Sequence, residues 1–384
     1  MHSLSSDQLQ YRKLAREFVE REILPAVASS HTNNIEPKAL LEKLRALGLV
    51  NVRIPENFAG LGLKTIDACL IAEELAFGEN SLASSFEASE LASTALLNFA
   101  SHEQNNRFLR TLASTTDFAG LCMPCENDCL ELTLQAVQSH EDFILNGQCN
   151  AVINGRAANW IFVVARVSQA QQSSSREAKS SWAAFIVDLS ATTASPGIKI
   201  GSSHKFLGKD GADIASVEFD NVAINKINQL SVPVSLKTFW QELSYQNFPI
   251  IASGCVGVAR SAMYHAIRYA KERVAFGQPI ASYQAVSFLL ADMAKDIEAA
   301  RQLAWRAALA ADQGAKDPVL ANSCKGFAQE MVMKVTTNAV QILGAYGYCR
   351  EYHTERLMRD AALYQLLCGN SHDLKSEIGQ ILLS

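Results

Sequence analysis

Three thiols stand close together in LCMPCENDCLEL, residues 121–132: Cys122, Cys125 and Cys129. Thiolates so spaced can bind zinc, but a structural site needs a fourth ligand at compatible spacing. No second CxxC or neighbouring histidine supplies one, so the reading is no metal. Nine cysteines, an odd number scattered along the chain, argue against a disulfide framework. A second stretch, YQLLCGNSHD at 364–373, carries Cys368, with no acid between Asp360 and Asp373. A thiol titrating near pH 8.5 acts as base or nucleophile only when a cation or helix dipole lowers its pKa. The sequence shows no such cation beside Cys368. His353 and His372 are isolated and read as surface or core residues.

The elements that must position these residues fall into three regions. Residues 5 to about 115 repeat apolar positions at helical spacing, with Ser5 or Ser6 as first N-cap and helices near 38–48, 66–78, 82–100 and 103–113. From about 117 to 227 the period changes to that of strands: LTLQAVQSHEDFILNGQ reads as a hairpin or meander, and NWIFVVARV, AAFIVDL and ASVEFDNVAI as further strands. Long helical patterns return from about 235, the last one running on beyond Tyr352. The chain has 384 residues, 48% hydrophobic and 19% charged, with a net charge of -5. That balance suits a globular protein and gives no basic footprint for nucleic acid. No apolar run long enough for a membrane span and no signal peptide is seen, so a cytoplasmic protein is expected.

With these stretches in view, the sequence resembles the acyl-CoA dehydrogenase family over essentially its whole length. YAKERVAFGQPIASYQAVSFLLADMAKDIEAAR, residues 269–301, is similar to that family's R-x-x-F-G-x-x-I-x-x-[FY]-Q segment and the helix after it. QILGAYGYCREYHTERLMRDA, residues 341–361, is similar to its Q-[IL]-x-G-G run, and PENFAGLGL to an early loop. The resemblance implies an α+β fold: an N-terminal helical domain (1–116), a middle β-sandwich or barrel domain (117–230) and a C-terminal four-helix bundle (231–384). It further implies FAD, an acyl thioester substrate on CoA or a carrier protein, a role in lipid metabolism and a tetramer in which two chains build each FAD site. In such enzymes a glutamate takes the α-proton while a hydride passes to the flavin.

Carried over position by position, Arg273, Phe276, Gln284, Gln341 and Gly344 match residues given to a neighbour's FAD, with Ala345 replacing a second glycine. Positions facing the chain's own flavin are altered: CMPCENDCLE keeps only Pro124, Ala151 and Ile153 replace a tryptophan and a threonine, and Asp210 and Ala212 replace an arginine and a serine. Cys368 stands at the glutamate base, Asn370 at a threonine, and the alternative base address falls at Asn247. Three readings follow. Cys368 acts as base; a displaced acid such as Glu242, Asp373 or Glu377 does; or the chain is a non-catalytic subunit completing the FAD site of a paralogue in a homo- or heterotetramer. A flavin-free binding protein with the same fold is a further alternative.

Overall fold

A computed structural model of the chain describes residues 4–29, 37–114, 118–122, 134–139, 142–169, 181–189, 197–233 and 235–384. The N-terminal helices are α1 (Ser6–Phe18), continued through one π turn into α2 (Leu24–Ser29), then α3 (Pro37–Ala46), α4 (Thr65–Gly78), α5 (Asn80–Phe99) and α6 (His102–Ser114). Ser5 caps α1 in a reciprocal capping box with Gln8. Helices α4 and α5 are buried over nearly their whole length, so their polar residues need partners inside the fold. Glu73 and Glu74 of α4, each 1% exposed, are met by Arg12 and Arg16 and by Arg260 and Arg301.

Strands β1 (Ala119–Cys122), β2 (Gln135–Ser139), β3 (Asp142–Ile153), β4 (Trp160–Gln169), β5 (Ser181–Asp188), β6 (Ile198–Ser203) and β7 (Ile214–Ile224) form one seven-stranded sheet. β1 and β2 lie end to end in a single lane, each parallel to β4 and antiparallel to β3. Alternation then divides the strands between two cores: Ile161, Val163 and Phe185 face one made within the sheet region, and Phe162, Val164 and Ile186 join the helical core. The expected strands are all present, while β1 and β6 went unread. One cysteine expectation is corrected. Pairing of β1 with β3, and a bulge between Cys149 and Val152, bring Cys122 and Cys149 into a disulfide. Cys125 and Cys129 lie outside the described residues, as do Pro124 and its neighbours at 123–133.

The C-terminal region holds α7 (Leu236–Glu272), a short hairpin of β8 (Val274–Ala275) and β9 (Gln278–Pro279), then α8 (Gln284–Asp312), α9 (Pro318–Leu343), α10 (His353–Tyr364) and α11 (Ser371–Leu383). α7 is long and apolar enough to cross a membrane, but 72% of its most apolar window is buried inside the fold, which marks a core helix. Phe239 near its start joins helices to sheet, its ring against Phe99, Phe162 and Trp182 at 4.8–5.9 Å between centroids.

Candidate active site

The apolar pattern beyond Tyr352, read as one continuous helix, is broken. Cys368 and Gly369 take φ of 54° and 99°, left-handed values that separate α10 from α11. The break frees carbonyls that α9 then satisfies: buried Lys325 donates from Nζ to the Gly369 carbonyl at 2.6 Å, and Gln329 donates to the same oxygen at 3.1 Å. Lys325 is thus the cation beside Cys368 that the sequence did not reveal. It pulls the thiol pKa down, but burial outweighs it and pushes Cys368 up to about 11. Burial also lowers Lys325 to about 8. The result is a neutral thiol at pH 7.

Asn247, on α7, holds no proton-abstracting group either. Its Nδ2 donates to the Leu243 carbonyl at 2.7 Å and its Oδ1 accepts from Arg53 at 3.2 Å. The displaced acids are engaged elsewhere: Glu242 pairs with Lys316 at 2.7 Å and Glu377 accepts from Asn322 at 2.9 Å. Asp373 lies in the first turn of α11. Asn370 is the N-cap of that helix, its Oδ1 accepting from the amides of His372 and Asp373 at 2.9 and 3.1 Å.

On the sheet side, Ile153 is buried and Ala151 packs against the helical core, so neither offers an aromatic face or a hydroxyl. Asn154 at the end of β3 pins the strand, its amide donating to the Ser85 and Ala119 carbonyls at 3.2 and 3.1 Å. Asp210 is paired with Arg359 at 3.2 Å, and Glu355 holds the same guanidinium at 2.6 Å. The substitution at 210 is therefore absorbed as a local ion pair.

A group that sequence reasoning missed lies between α5 and α7. Glu87 is buried on α5, and burial pushes its carboxyl up to about 7 against the pull of Lys209. Tyr364 donates to Glu87 Oε1 at 3.0 Å. Lys209, 2% exposed, reaches from the sheet into the helical core, where its Nζ bonds Ser84 Oγ and lies 3.9 Å from the Tyr364 ring centroid. The one available signal was an acid inside the small-residue run SSFEASELAST.

The remaining predicted residues gather at the opposite, exposed end of the bundle. Arg273 caps α7 with its guanidinium over the Tyr346 ring, 5.9 Å from the centroid. Phe276 is 96% exposed at φ 50° at the tip of the β8–β9 turn. Gln284 opens α8, Gln341 closes α9, and both are exposed. Gly344 has φ 61° with nothing within 4 Å of where a Cβ would be.

Comparison with known proteins supplies the decisive observation. Residues 5–116 match the N-terminal and 248–383 the C-terminal domain model of the acyl-CoA dehydrogenases. A probable acyl-CoA dehydrogenase of Bacillus subtilis is 31% identical over 385 residues, 99% of each chain. The chain belongs to the acyl-CoA dehydrogenase family. A cyclohex-1-ene-1-carbonyl-CoA dehydrogenase of Geobacter metallireducens is 30% identical over all of both chains. The butyryl-CoA dehydrogenase of Megasphaera elsdenii superposes with a TM-score of 0.90 at 28% identity, again over all of both chains. An acyl-CoA dehydrogenase is a flavoprotein oxidoreductase with FAD as cofactor. The donor set at Arg273 suits the diphosphate of FAD: its planar cation is exposed, and the backbones of Gly277 and Gly344 have nothing within 4 Å of where a Cβ would be.

Proposed function

We propose that this chain is a subunit of an FAD-dependent acyl-CoA dehydrogenase that completes the cofactor site of a neighbouring chain and does not itself supply the base. One observation carries the reading: at the family's base position stands no carboxylate but the half-buried thiol of Cys368, pushed up to about 11 by desolvation and so a poor proton acceptor at neutral pH. Bound FAD supplies hydride acceptance. Arg273, Phe276, Gln284, Gln341 and Gly344 of this chain hold its diphosphate end for the neighbour, in a heterotetramer with a paralogue. The neighbour contributes the carboxylate and the groups around its own flavin ring. The substrate is an acyl thioester, CoA being the carrier in the relatives named above.

The test is co-expression with a paralogous acyl-CoA dehydrogenase from the same source, followed by flavin quantification and assay with a dye acceptor. The expected result is about one FAD per two chains by the half-site argument, and turnover only in the mixture. A yellow homomer carrying one FAD per chain and turning over butyryl-CoA alone defeats the proposal. So does a colourless chain in every mixture, which would leave a binding protein with this fold.

A further inference from the structure

A cavity of about 520 Å³ lies between α1, α4, α7 and α8 and shares no residue with the candidate active site. Its α7 side starts at Arg260, thirteen residues beyond Asn247, or about 20 Å along the helix axis. The helices around it are closely packed. A Cβ on Gly257 would lie 2.3 Å from the Glu73 carbonyl oxygen, and one on Gly78 would lie 2.6 Å from Val19 Cγ1. Interiors packed this tightly hold few voids wider than a water molecule, and small-molecule sites run from roughly 300 to 1,000 Å³. The cavity also sits where α1 departs from α geometry. Val19 and Glu20, both in its lining, open the π turn, a rare feature that concentrates at functional sites.

Arg16, Arg260 and Arg301 line the cavity together with Glu20, Glu74 and Glu298, so its lining is polar yet carries no net charge. Some of these groups are saturated: Glu74 accepts from Arg12, Arg16 and Arg260, and Arg301 donates to Glu73 and Glu298. Others are not. Arg260 gives only Nη1 to Glu73 and Glu74, at 2.8 and 3.2 Å, leaving Nε and Nη2 without a partner among the described residues. The Phe77 ring, its centroid 5.1 Å from Arg260 Cζ, sets the plane of that fork. Arg16 likewise keeps Nη1. The exposed carboxylate of Glu20 makes no hydrogen bond among the described residues. Phe77, Met263, Ile267 and Ile297 add apolar surface. A simple anion would satisfy the guanidinium and leave Glu20 facing like charge; a ligand carrying both signs satisfies both. We propose that this cavity binds a free α-amino acid with an apolar side chain: carboxylate on Arg260 and Arg16, ammonium on Glu20, side chain against Phe77, Met263 and Ile297. The site stands independently of the subunit reading above.

The experiment is calorimetric titration of the purified full chain, in its native oligomer, with phenylalanine, leucine and methionine. Hydrocinnamate, which lacks the ammonium of phenylalanine, and phenethylamine, which lacks its carboxylate, are titrated beside them. At least one of the amino acids is expected to saturate one site per chain, and the two phenylalanine analogues to bind about tenfold more weakly than phenylalanine, each having lost a hydrogen bond between charged groups. Glu20→Gln, at an exposed position, is expected to lose about tenfold for the amino acid and to leave hydrocinnamate unchanged. Ala294→Phe, exposed on α8 and in the cavity lining, fills the space without touching an ion pair and is expected to abolish binding. The absence of saturable binding by all three amino acids at about 10 mM overturns the proposal. So does hydrocinnamate binding as tightly as phenylalanine, or amino-acid affinity unchanged in either variant.

Discussion

The Tyr364 hydroxyl stands 3.0 Å from Glu87 Oε1 and 2.9 Å from Asn80 Oδ1. A phenol has one hydrogen to give. Serving both acceptors therefore takes a proton on Glu87 or an Asn80 amide turned to present its nitrogen, which has no partner as placed. Burial raises the carboxyl from 4.5 to about 7, so the protonated form is reached under ordinary conditions.

This makes stability pH-dependent in a definite direction. A carboxyl whose folded pKa lies above its unfolded value stabilises most below the unfolded value, and that contribution is lost as pH rises from 4.5 through about 7. Asp360, raised to about 6 by burial, acts in the same sense. Glu87→Gln mimics the neutral form; it should match wild type near pH 5 and exceed it by about 1–3 kcal/mol at pH 8, less whatever Lys209 loses in its counter-charge. Denaturant unfolding at the two pH values checks this. A difference that does not change with pH contradicts it.

At pH 7.5, alkylation by iodoacetamide should separate the thiols. Cys368, pushed up to about 11, should react roughly 100-fold more slowly than an ordinary exposed thiol such as Cys349. Timed peptide mass spectrometry reads the two rates together. Labelling of Cys368 as fast as Cys349 would revive it as a base.

Gly208 and Asp210, two residues apart, should differ sharply. A Cβ on Gly208 would lie 2.3 Å from the Arg359 carbonyl oxygen, a backbone atom that cannot yield alone. Gly208→Ala should cost about 2–3 kcal/mol or more. Asp210→Asn breaks a partly exposed pair with Arg359 and should cost no more than about 1 kcal/mol. Chemical denaturation of both variants tests the contrast.

Arg273→Ala should leave the melting temperature unchanged, because the side chain is exposed, and weaken flavin retention by about 10- to 100-fold in the assembled complex. Arg273→Lys should recover part of it, as a point charge replaces a planar fork. The ratio of flavin to protein absorbance after gel filtration measures both.

Where the apolar period was long, the sequence announced the element: α4 and α5, and strands β4, β5 and β7, stand close to where alternation and helical spacing put them. β1, four residues of AGLC, and β6, IKIGSS with half its residues small, carry too little pattern to be read. The break after α10 was hidden because YQLLC continues the helical period, and Gly369 was the one sign of a left-handed turn. In the site, Arg273 and its companions were read from the resemblance, by matching two short motifs position by position. The Glu87 group was not, since its parts meet only in three dimensions; Lys209 and Ser84 are 125 residues apart. The cation at Cys368 was hidden for the same reason, on a helix more than forty residues earlier.

Helix α5 draws a counter-ion from three distant places: Arg53 before α4, Lys209 in the sheet region, and Arg356 on α10, which holds the capping Glu79 at 2.6 Å. A carboxylate stranded without its cation in a dry interior is strongly destabilising. The helix therefore acts as a checkpoint on assembly: an intermediate with the sheet undocked, or with the C-terminal turns not yet home, leaves an acid exposed to water or protonated and stays loose. Only when all three regions are in place does each of these carboxylates have its cation, so the packing of this one helix is coupled to that of the sheet region and the C-terminal turns.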